Sequence, residues 1–330
     1  MAVQRGTCNL NDARRVLDSY NSWSGEKRPH DLGRLETRPH GTVQETGDLK
    51  IISEICKKTN AVYTKREPFR CRKGDRVLDC GANIGASAHR FTVDGASHVT
   101  CVEPGNGVLP QLRRNVGKCS QVSIEPLAIS RTSGSLTFHD HDATRAGPSR
   151  SCLEEHDGYT GSFANGVKPY PVTSVPLDAM IKDHTVLKID IEGADFDAFE
   201  GLPHGYDFEQ IRVIMLETSS ARSRKQGKSW RGLYRVFKKA RKAGFEYAQV
   251  PAALFKVKHW STATAGKFIK GRDDMVYLYK PRADRDPGNV HFTPKKRKKL
   301  VAWKRFKKIL TAEAEADAAF EIFWRECMEE

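Results

Sequence analysis

One ten-residue stretch limits the fold of this chain most strongly. Residues 76–80, Arg-Val-Leu-Asp-Cys, have the apolar character of a short strand, and residues 81–85, Gly-Ala-Asn-Ile-Gly, form a glycine turn. A helix is predicted to begin near Ala86. Such a unit places backbone N–H groups and a helix N-terminus at the end of a strand, where an anionic or polar ligand binds. The stretch therefore predicts an α/β fold with a ligand site at one edge of the sheet.

A second predicted strand ends in an acid. Residues 99–102, Val-Thr-Cys-Val, precede Glu103 and Pro104. A carboxylate at the end of the second strand is the usual partner of the two ribose hydroxyls of a nucleoside. The glycine turn lacks the Gly-x-Gly-x-x-Gly spacing of dinucleotide sites, so the pair of motifs favours S-adenosylmethionine over a dinucleotide.

The residues around the turn have distinct expected roles. Gly81 and Gly85 are expected to let the backbone approach the cofactor closely. Asp79 is expected to hold the turn or to reach the methionine amino group. Asn83 is expected to hydrogen-bond the cofactor or only to stabilise the turn, and residues 125–128, which end at Ala128, are expected to lie near the adenine.

A third motif completes the pattern. Residues 186–193 read Val-Leu-Lys-Ile-Asp-Ile-Glu-Gly, a strand that ends in two acids and a glycine. With the motifs at 81–85 and 103–104, this sequence resembles the FkbM family of S-adenosylmethionine-dependent methyltransferases. Leu112 and Asn115 match positions of that family, and the resemblance extends over residues 45–280. It implies a Rossmann-like class I fold, with helices around a mostly parallel seven-stranded sheet. It also implies O-methylation of a hydroxyl on a sugar, glycan or small metabolite.

The acidic motif carries the predicted chemistry. A methyl acceptor must be placed in line with the methyl group and often loses a proton. Asp190 is expected to accept that proton or to hold the cofactor's ammonium group. Glu192 is predicted to project on the same side, where two acids split their pKa values or bind a divalent metal. The alternative is that Glu192 stabilises the start of the next helix. Lys188 is expected to pair with an acid or orient substrate, and Glu217 to line the site from the next strand.

The charge of the chain points to a second interpretation. The 330 residues carry a formal net charge of +14, which is typical of proteins with polyanionic partners but also of proteins with a basic tail. The segments Arg224–Lys242 and Lys295–Lys308 are predicted to contact nucleic acid. Residues 295–299 also resemble a nuclear localisation signal. The alternatives to a small hydroxyl acceptor are therefore ribose methylation in nucleic acid and a non-catalytic nucleic-acid-binding protein on this fold.

The predicted organisation has three parts: a polar, irregular N-terminal arm (1–44) with a short helix near residues 11–20, a methyltransferase domain (45–280) and a basic helical C-terminal extension (281–330). Residues 48–63 are predicted to form a helix. The eight cysteines form no Cys-x-x-Cys pair, which indicates a reducing compartment without disulfides or structural zinc. No apolar run approaches the ~20 residues of a membrane span, and no signal-peptide core is present. The expected location is cytoplasmic, with the nucleus as the alternative.

The predicted sheet follows from the strand-like segments. Five of them alternate with helices and are expected to be parallel; they are residues 76–80, 98–103, 121–125, 185–190 and 211–216. Two further segments, 245–250 and 275–279, are predicted to be the final antiparallel strands. Residues 139–171, with little apolar patterning, are predicted to form an excursion near the site.

Overall fold

The computed structural model describes residues 10–39, 42–56, 70–139, 152–153, 169–192, 194–203, 206, 208–219, 240, 243–251 and 273–280. All of them belong to one compact unit, which comprises Met1–Lys258 and Arg272–Pro281. The basic segments Arg224–Lys242 (apart from Ala240) and Lys295–Lys308 lie outside the described residues, as does the predicted extension 281–330. The boundaries of the three predicted parts stay predictions.

The elements follow one another along the chain as α1 (Leu10–Gly25), α2 (Val43–Cys56), β1 (Arg76–Cys80), α3 (Ala86–Val93), β2 (His98–Val102), α4 (Leu109–Val116), β3 (Val122–Glu125), β4 (Ala128–Ser130), β5 (Gly134–His139), β6 (Cys152–Leu153), β7 (Tyr170–Pro176), α5 (Leu177–Ile181), β8 (Val186–Ile189), α6 (Asp195–Glu200), β9 (Val213–Ser219), β10 (Glu246–Pro251) and β11 (Asp273–Tyr279).

Seven strands form the main sheet, in the order β10-β11-β9-β8-β1-β2-β3. The strands β3, β2, β1, β8 and β9 are parallel neighbours, whereas β11 is antiparallel to both β9 and β10. This topology confirms the predicted Rossmann-like class I sheet and its two antiparallel strands. The carboxyl ends of β1, β2 and β8 consequently meet at one edge, which is where ligands bind in open α/β sheets.

The main core lies between this sheet and the helices α2, α3 and α4. Val77, Val99, Val186 and Val213 come from four neighbouring strands and are fully buried in one cluster, together with Phe91 of α3. Burial of a side chain of this size contributes about 1.5–3 kcal/mol. Every residue of β8 is buried, as expected for an interior parallel strand. This core fixes the strand ends that carry the site.

A second sheet was not predicted. It has four strands in the order β4-β7-β5-β6, in which β4 and β7 are parallel and the other pairs are antiparallel. Within β7 the buried Val172 and Ser174 alternate with the exposed Pro171 and Thr173. The predicted excursion at 139–171 is therefore partly strand, although most of it lies outside the described residues. We call this four-stranded sheet the small sheet.

The prediction of an irregular N-terminal arm is wrong for residues 10–39. Helix α1 is longer than the predicted helix near residues 11–20 and packs on α2. Tyr20, Leu32 and Leu35 are buried in the main core. Three large apolar side chains spaced over a polar segment give no periodic signal, and their burial depends on partners far along the chain.

Helix α2 begins earlier than predicted, at Val43. The Glu45 amide donates to Thr42 Oγ1 over 3.1 Å, which is the N-capping bond expected when threonine precedes a helix and glutamate follows three residues later. The end of the predicted helix, residues 57–63, lies outside the described residues. Of the helices that the structure describes, none has the length and apolar character needed to cross a bilayer.

Candidate active site

The glycine turn leaves the end of β1 in an unusual backbone conformation. Gly81 has φ 78° and Gly85 has φ 85°, the left-handed region that favours glycine. A Cβ atom on Gly81 would lie 1.9 Å from the Asp190 carbonyl oxygen, and one on Gly85 would lie 2.9 Å from Leu112 Cδ1. Gly81 therefore requires glycine because of a backbone clash, whereas Gly85 is favoured as glycine mainly by its positive φ. Their predicted close approach to a cofactor stays a prediction.

Glu103 joins the end of β2 to the glycine turn. Its Oε2 accepts a hydrogen bond from the Asn83 amide and its Oε1 accepts one from the Gly105 amide, both at 2.8 Å. The side chain is largely buried. Glu103 thus lies at the end of β2 beside the turn, the position of the usual ribose partner, and its contact with ribose stays a prediction.

Asn83 stabilises the turn in which it lies. Its φ is 51°, a conformation that asparagine tolerates better than most residues, and its Oδ1 accepts a hydrogen bond from the Ile84 amide at 2.8 Å. The turn-stabilising role is therefore present in the structure, and contact with a cofactor stays a prediction.

Asp79 and Lys188 form a buried ion pair under the turn. They are register partners on β1 and β8, and Lys188 Nζ lies 2.9 Å from Asp79 Oδ1. Lys188 Nζ also donates to the Gly81 carbonyl at 2.6 Å, and Ser87 Oγ donates to Asp79 Oδ2 at 2.5 Å. Burial lowers the pKa of Lys188, but attraction to Asp79 and then to Asp190 outweighs it and raises that pKa overall. Lys188 thus remains an ammonium group.

Three carboxylates converge beside the turn. Asp190 and Glu192 follow β8, Glu217 lies on the neighbouring β9, and one carboxylate oxygen of each lies within 4.8 Å of the others. We call these three residues the acidic cluster. Each is half-buried. The arrangement agrees with the expectation that Asp190 and Glu192 project together and that Glu217 lines the site from the next strand.

The loop after β8, which carries Asp190 and Glu192 of the acidic cluster, has a strained backbone. Glu192 has φ 56°, which is uncommon for a residue other than glycine, and such conformations concentrate at functional sites. The Ile191 amide donates to Asp195 Oδ1 at 3.0 Å, and Ile191 packs against the small sheet. Helix α6 begins at Asp195 with Ala194 as its N-cap residue. The loop is thus anchored on both sides of Glu192.

Ala128 begins β4 and is buried in the small sheet, where it packs with Phe138 and Val172. The strand that precedes it, β3, is tied to the ribose-binding candidate, because the Glu103 amide donates to the Glu125 carbonyl at 3.1 Å. The predicted adenine segment therefore starts next to Glu103. Its contact with adenine stays a prediction.

Three residues join the site to its surroundings; sequence reasoning missed Tyr170 and His89, and it noted Asn115 only as a match to the family, without a role. The Tyr170 hydroxyl accepts a hydrogen bond from the Asn106 amide at 2.7 Å, next to the Glu103 loop. Asn115 donates to the Ile84 carbonyl at 2.7 Å, and His89 of α3 contacts Tyr20. The family match of Asn115 was one available signal, and its polar amide among the buried residues Leu112 and Val116 of α4 was another.

With this geometry in place, comparison with known families is decisive. Residues 79–247, more than half of the chain, match the model of the methyltransferase FkbM domain. The chain belongs to the FkbM methyltransferase family. The matched residues of this FkbM methyltransferase contain the glycine turn, Glu103 and the acidic cluster, and the protein is an S-adenosylmethionine-dependent methyltransferase. The predicted resemblance is confirmed, and the N-terminal helices lie before the matched residues.

Solved structures match this FkbM methyltransferase only at low similarity. A precorrin-6y C5,15-methyltransferase from Geobacter metallireducens matches at 10% identity and TM-score 0.32, covering 76% of this chain and 96% of its own. Fibrillarin from Aeropyrum pernix with bound S-adenosylmethionine matches at 12% identity and TM-score 0.31, covering 63% of this chain and 67% of its own. Fibrillarin from Methanococcus jannaschii matches at 12% identity and TM-score 0.33, covering 67% of this chain and 73% of its own. Scores this low carry no argument about substrate. A search of the curated proteins finds no match.

Proposed function

We propose that this FkbM methyltransferase methylates a hydroxyl oxygen of a sugar, glycan or small metabolite, with Asp190 as the general base. The observation that carries the proposal is the position of the acidic cluster beside the glycine turn. The Asp190 amide donates to the Cys80 carbonyl at 3.2 Å. The candidate base is therefore held next to the residue that immediately precedes the glycine turn. Proton removal by a positioned carboxylate is what a hydroxyl acceptor requires.

The residues at this edge of the sheet suit S-adenosylmethionine. Glu103 offers a carboxylate for the ribose hydroxyls, and Asp190 offers one for the ammonium group or the acceptor. The bound cofactor supplies a methyl group on a sulfonium, which is already activated for transfer. The protein's task is to orient the acceptor and remove its proton.

Two features support an active role for the acidic cluster. One carboxylate oxygen of each residue lies within 4.8 Å of the others, and closely placed carboxylates are a common arrangement for proton transfer. The uncommon φ of Glu192 also has a cost of about 1–3 kcal/mol, and such strain is typical of functional sites. We assign Asp190 as the base, with Glu192 and Glu217 setting its proton affinity.

Lys188 has a supporting role in this proposal. Its ammonium group is almost fully buried and lies 3.9 Å from Asp190 Oδ2. It therefore acts on substrate only through its neighbours, as a positioning residue that fixes the turn and favours ionised Asp190.

A divalent cation is the alternative use of the acidic cluster. Three carboxylates at the ends of two neighbouring strands offer the oxygen ligands that Mg²⁺ and Mn²⁺ prefer. Such a cation would lower the pKa of a bound hydroxyl, and Asp190 would then be a ligand and no longer the base.

Cofactor binding is the first test. Calorimetric titration with S-adenosylmethionine and S-adenosylhomocysteine is expected to show micromolar binding by the wild type. Glu103→Ala removes the ribose partner and is expected to abolish measurable binding, and Arg15→Ala, which removes an exposed side chain of helix α1 that pairs with Asp12, is the control. A folded wild type without binding refutes the proposal.

Nucleic acid is the second candidate acceptor, and the net charge of +14 favours it. In this case Arg224–Lys242 and Lys295–Lys308 would contact phosphates, and a ribose hydroxyl would replace the small acceptor. A gel shift with RNA that weakens steeply with salt, together with labelled methyl transfer to that RNA, would support it. RNA binding without methyl transfer to that RNA would make RNA a binding partner and not the methyl acceptor. Methyl transfer to a sugar without a gel shift would support the main proposal.

A further inference from the structure

Asn115 connects the glycine turn to the segment before the FkbM domain. Its Nδ2 donates to the Ile84 carbonyl at 2.7 Å and to the Glu36 carbonyl at 2.9 Å, and its Oδ1 accepts from the Glu36 amide at 3.0 Å. The side chain is 1% exposed. Both polar atoms of this buried amide are thus hydrogen-bonded. The Nδ2 atom bonds both the turn and Glu36, and the Oδ1 atom bonds Glu36.

The same helix supports the turn by packing. Leu112 Cδ1 and the two methyl groups of Val116 lie within 3.4 Å of the position that a Cβ atom would occupy at Gly85. Helix α4 therefore packs closely against the turn at Gly85, and through Asn115 it also bonds to the turn backbone at Ile84. A displacement of this amide would move the carbonyl of Ile84 and, with it, the adjoining Asn83 and Gly85.

We infer that Asn115 is a positioning residue for cofactor binding, and that through it the backbone of Glu36, within residues 10–39, supports the cofactor site. The inference rests on the proposed binding of S-adenosylmethionine at the glycine turn. Residues 10–39 lie outside the family match at 79–247. Their backbone at Glu36 completes the hydrogen bonding of Asn115, which without Glu36 would keep its Oδ1 partner Gln111 but lose two of its bonds.

Other bonds hold residues 10–39 in place independently of Asn115. Asn21 donates to the Leu35 carbonyl and accepts from the Leu35 amide, each at 2.9 Å. Since the Gly33 carbonyl can only accept, His89 Nε2 donates to it at 3.0 Å, and the Tyr20 hydroxyl donates to His89 Nδ1 at 2.9 Å. Loss of the Asn115 amide is therefore expected to loosen the turn while the N-terminal segment stays folded.

Two substitutions at Asn115 and one matched control test the inference. Asn115→Ala removes all the bonds, and Asn115→Asp keeps the shape but turns an oxygen toward the Ile84 carbonyl. Both are expected to weaken S-adenosylmethionine binding about five- to tenfold by calorimetry. Asn21→Ala also removes two bonds, both within the N-terminal segment to Leu35, but touches neither Glu36 nor a turn atom, and we expect wild-type affinity at a comparable loss of Tm.

The outcomes separate this inference from the proposed function. If the wild type binds and the Asn115 variants bind equally well, or lose no more affinity than Asn21→Ala, the inference is wrong and the proposed function stands. A wild type that does not bind refutes both. If the variants do not fold, residue-resolved hydrogen exchange on the wild type decides. Cofactor is expected to slow exchange at the Glu36 amide but not at the Leu35 amide, and an unchanged Glu36 overturns the inference.

Discussion

Lys188 and Asp79 face each other across β1 and β8, with 2.9 Å between the ammonium nitrogen and the carboxylate Oδ1 and almost no exposure of either side chain. The same ammonium group donates to the Gly81 carbonyl at 2.6 Å. A single buried charge pair therefore holds the start of the glycine turn against β8. It also brings a fixed positive charge to 3.9 Å from the candidate base Asp190.

Removal of one member of this pair is expected to destabilise the fold strongly. Lys188→Met leaves the Asp79 carboxylate buried without its counter-ion, and such a change costs about 3–5 kcal/mol of unfolding free energy. Chemical denaturation measures the loss. The double variant Asp79→Leu/Lys188→Met is expected to recover much of it. Arg76→Ala, which breaks the exposed Arg76–Asp183 pair, is the control and is expected to cost less than about 1 kcal/mol. A Lys188→Met protein as stable as this control would contradict the prediction.

Two glycines with similar backbone angles are expected to respond differently to alanine. Gly74 has φ 90° and open space around its Cα, so Gly74→Ala measures only the conformational cost of about 1–2 kcal/mol. Gly81→Ala adds a clash with the Asp190 carbonyl oxygen. We expect it to cost more than Gly74→Ala and to weaken S-adenosylmethionine binding, which Gly74→Ala leaves unchanged. Denaturation and calorimetry on both variants provide the comparison, and equal losses would mean that the turn relaxes around the added methyl group.

Acid is expected to weaken the fold through His89. Burial lowers the pKa of this imidazole from 6.5 to about 4. The unfolded state therefore binds more protons between these pH values, and the contribution of His89 is complete above pH 6.5 and is lost as the pH falls toward 4. The loss is on the order of 3 kcal/mol. Denaturation at several pH values should show a steeper decline for the wild type than for His89→Gln, which cannot titrate. Parallel curves would assign the pH dependence to other groups.

The acidic cluster is expected to act as a base. Asp190→Asn removes the proton acceptor but keeps its shape, so kcat should fall about 100-fold or more while affinity for S-adenosylmethionine changes less than tenfold. Glu217→Gln should lower kcat less than Asp190→Asn does, because Glu217 only adjusts the proton affinity of Asp190. Single-turnover assays with an identified acceptor, alongside calorimetry, measure both quantities. Chelation with EDTA is expected to leave the rate unchanged, and loss of activity restored by Mg²⁺ or Mn²⁺ would assign the cluster to a cation.

Local sequence patterns predicted the framework well. The apolar runs at β1, β2 and β8 and the turn Gly81–Gly85 are specified by neighbouring residues, so they predicted the parallel sheet and the edge at which the site lies. The small sheet was missed, because strands as short as β6 have little periodicity of their own and are stabilised by distant partners. Helix α2 was predicted too late because the capping pair Thr42 and Glu45 was not recognised.

The sequence by itself determined the family, the order of the strands and the carboxylates that end them, because each is encoded within a few adjacent residues. Only the tertiary structure decided what those residues contact. The register between β1 and β8 turned Lys188 into the partner of Asp79. The parallel alignment of β8 and β9 brought Glu217 to Asp190, and folding of residues 10–39 onto α3 and α4 connected Glu36 to the turn through Asn115. Such contacts join residues far apart in the chain. Their free energy depends on how deeply the groups are buried, and burial is set by the tertiary fold and not by neighbouring residues.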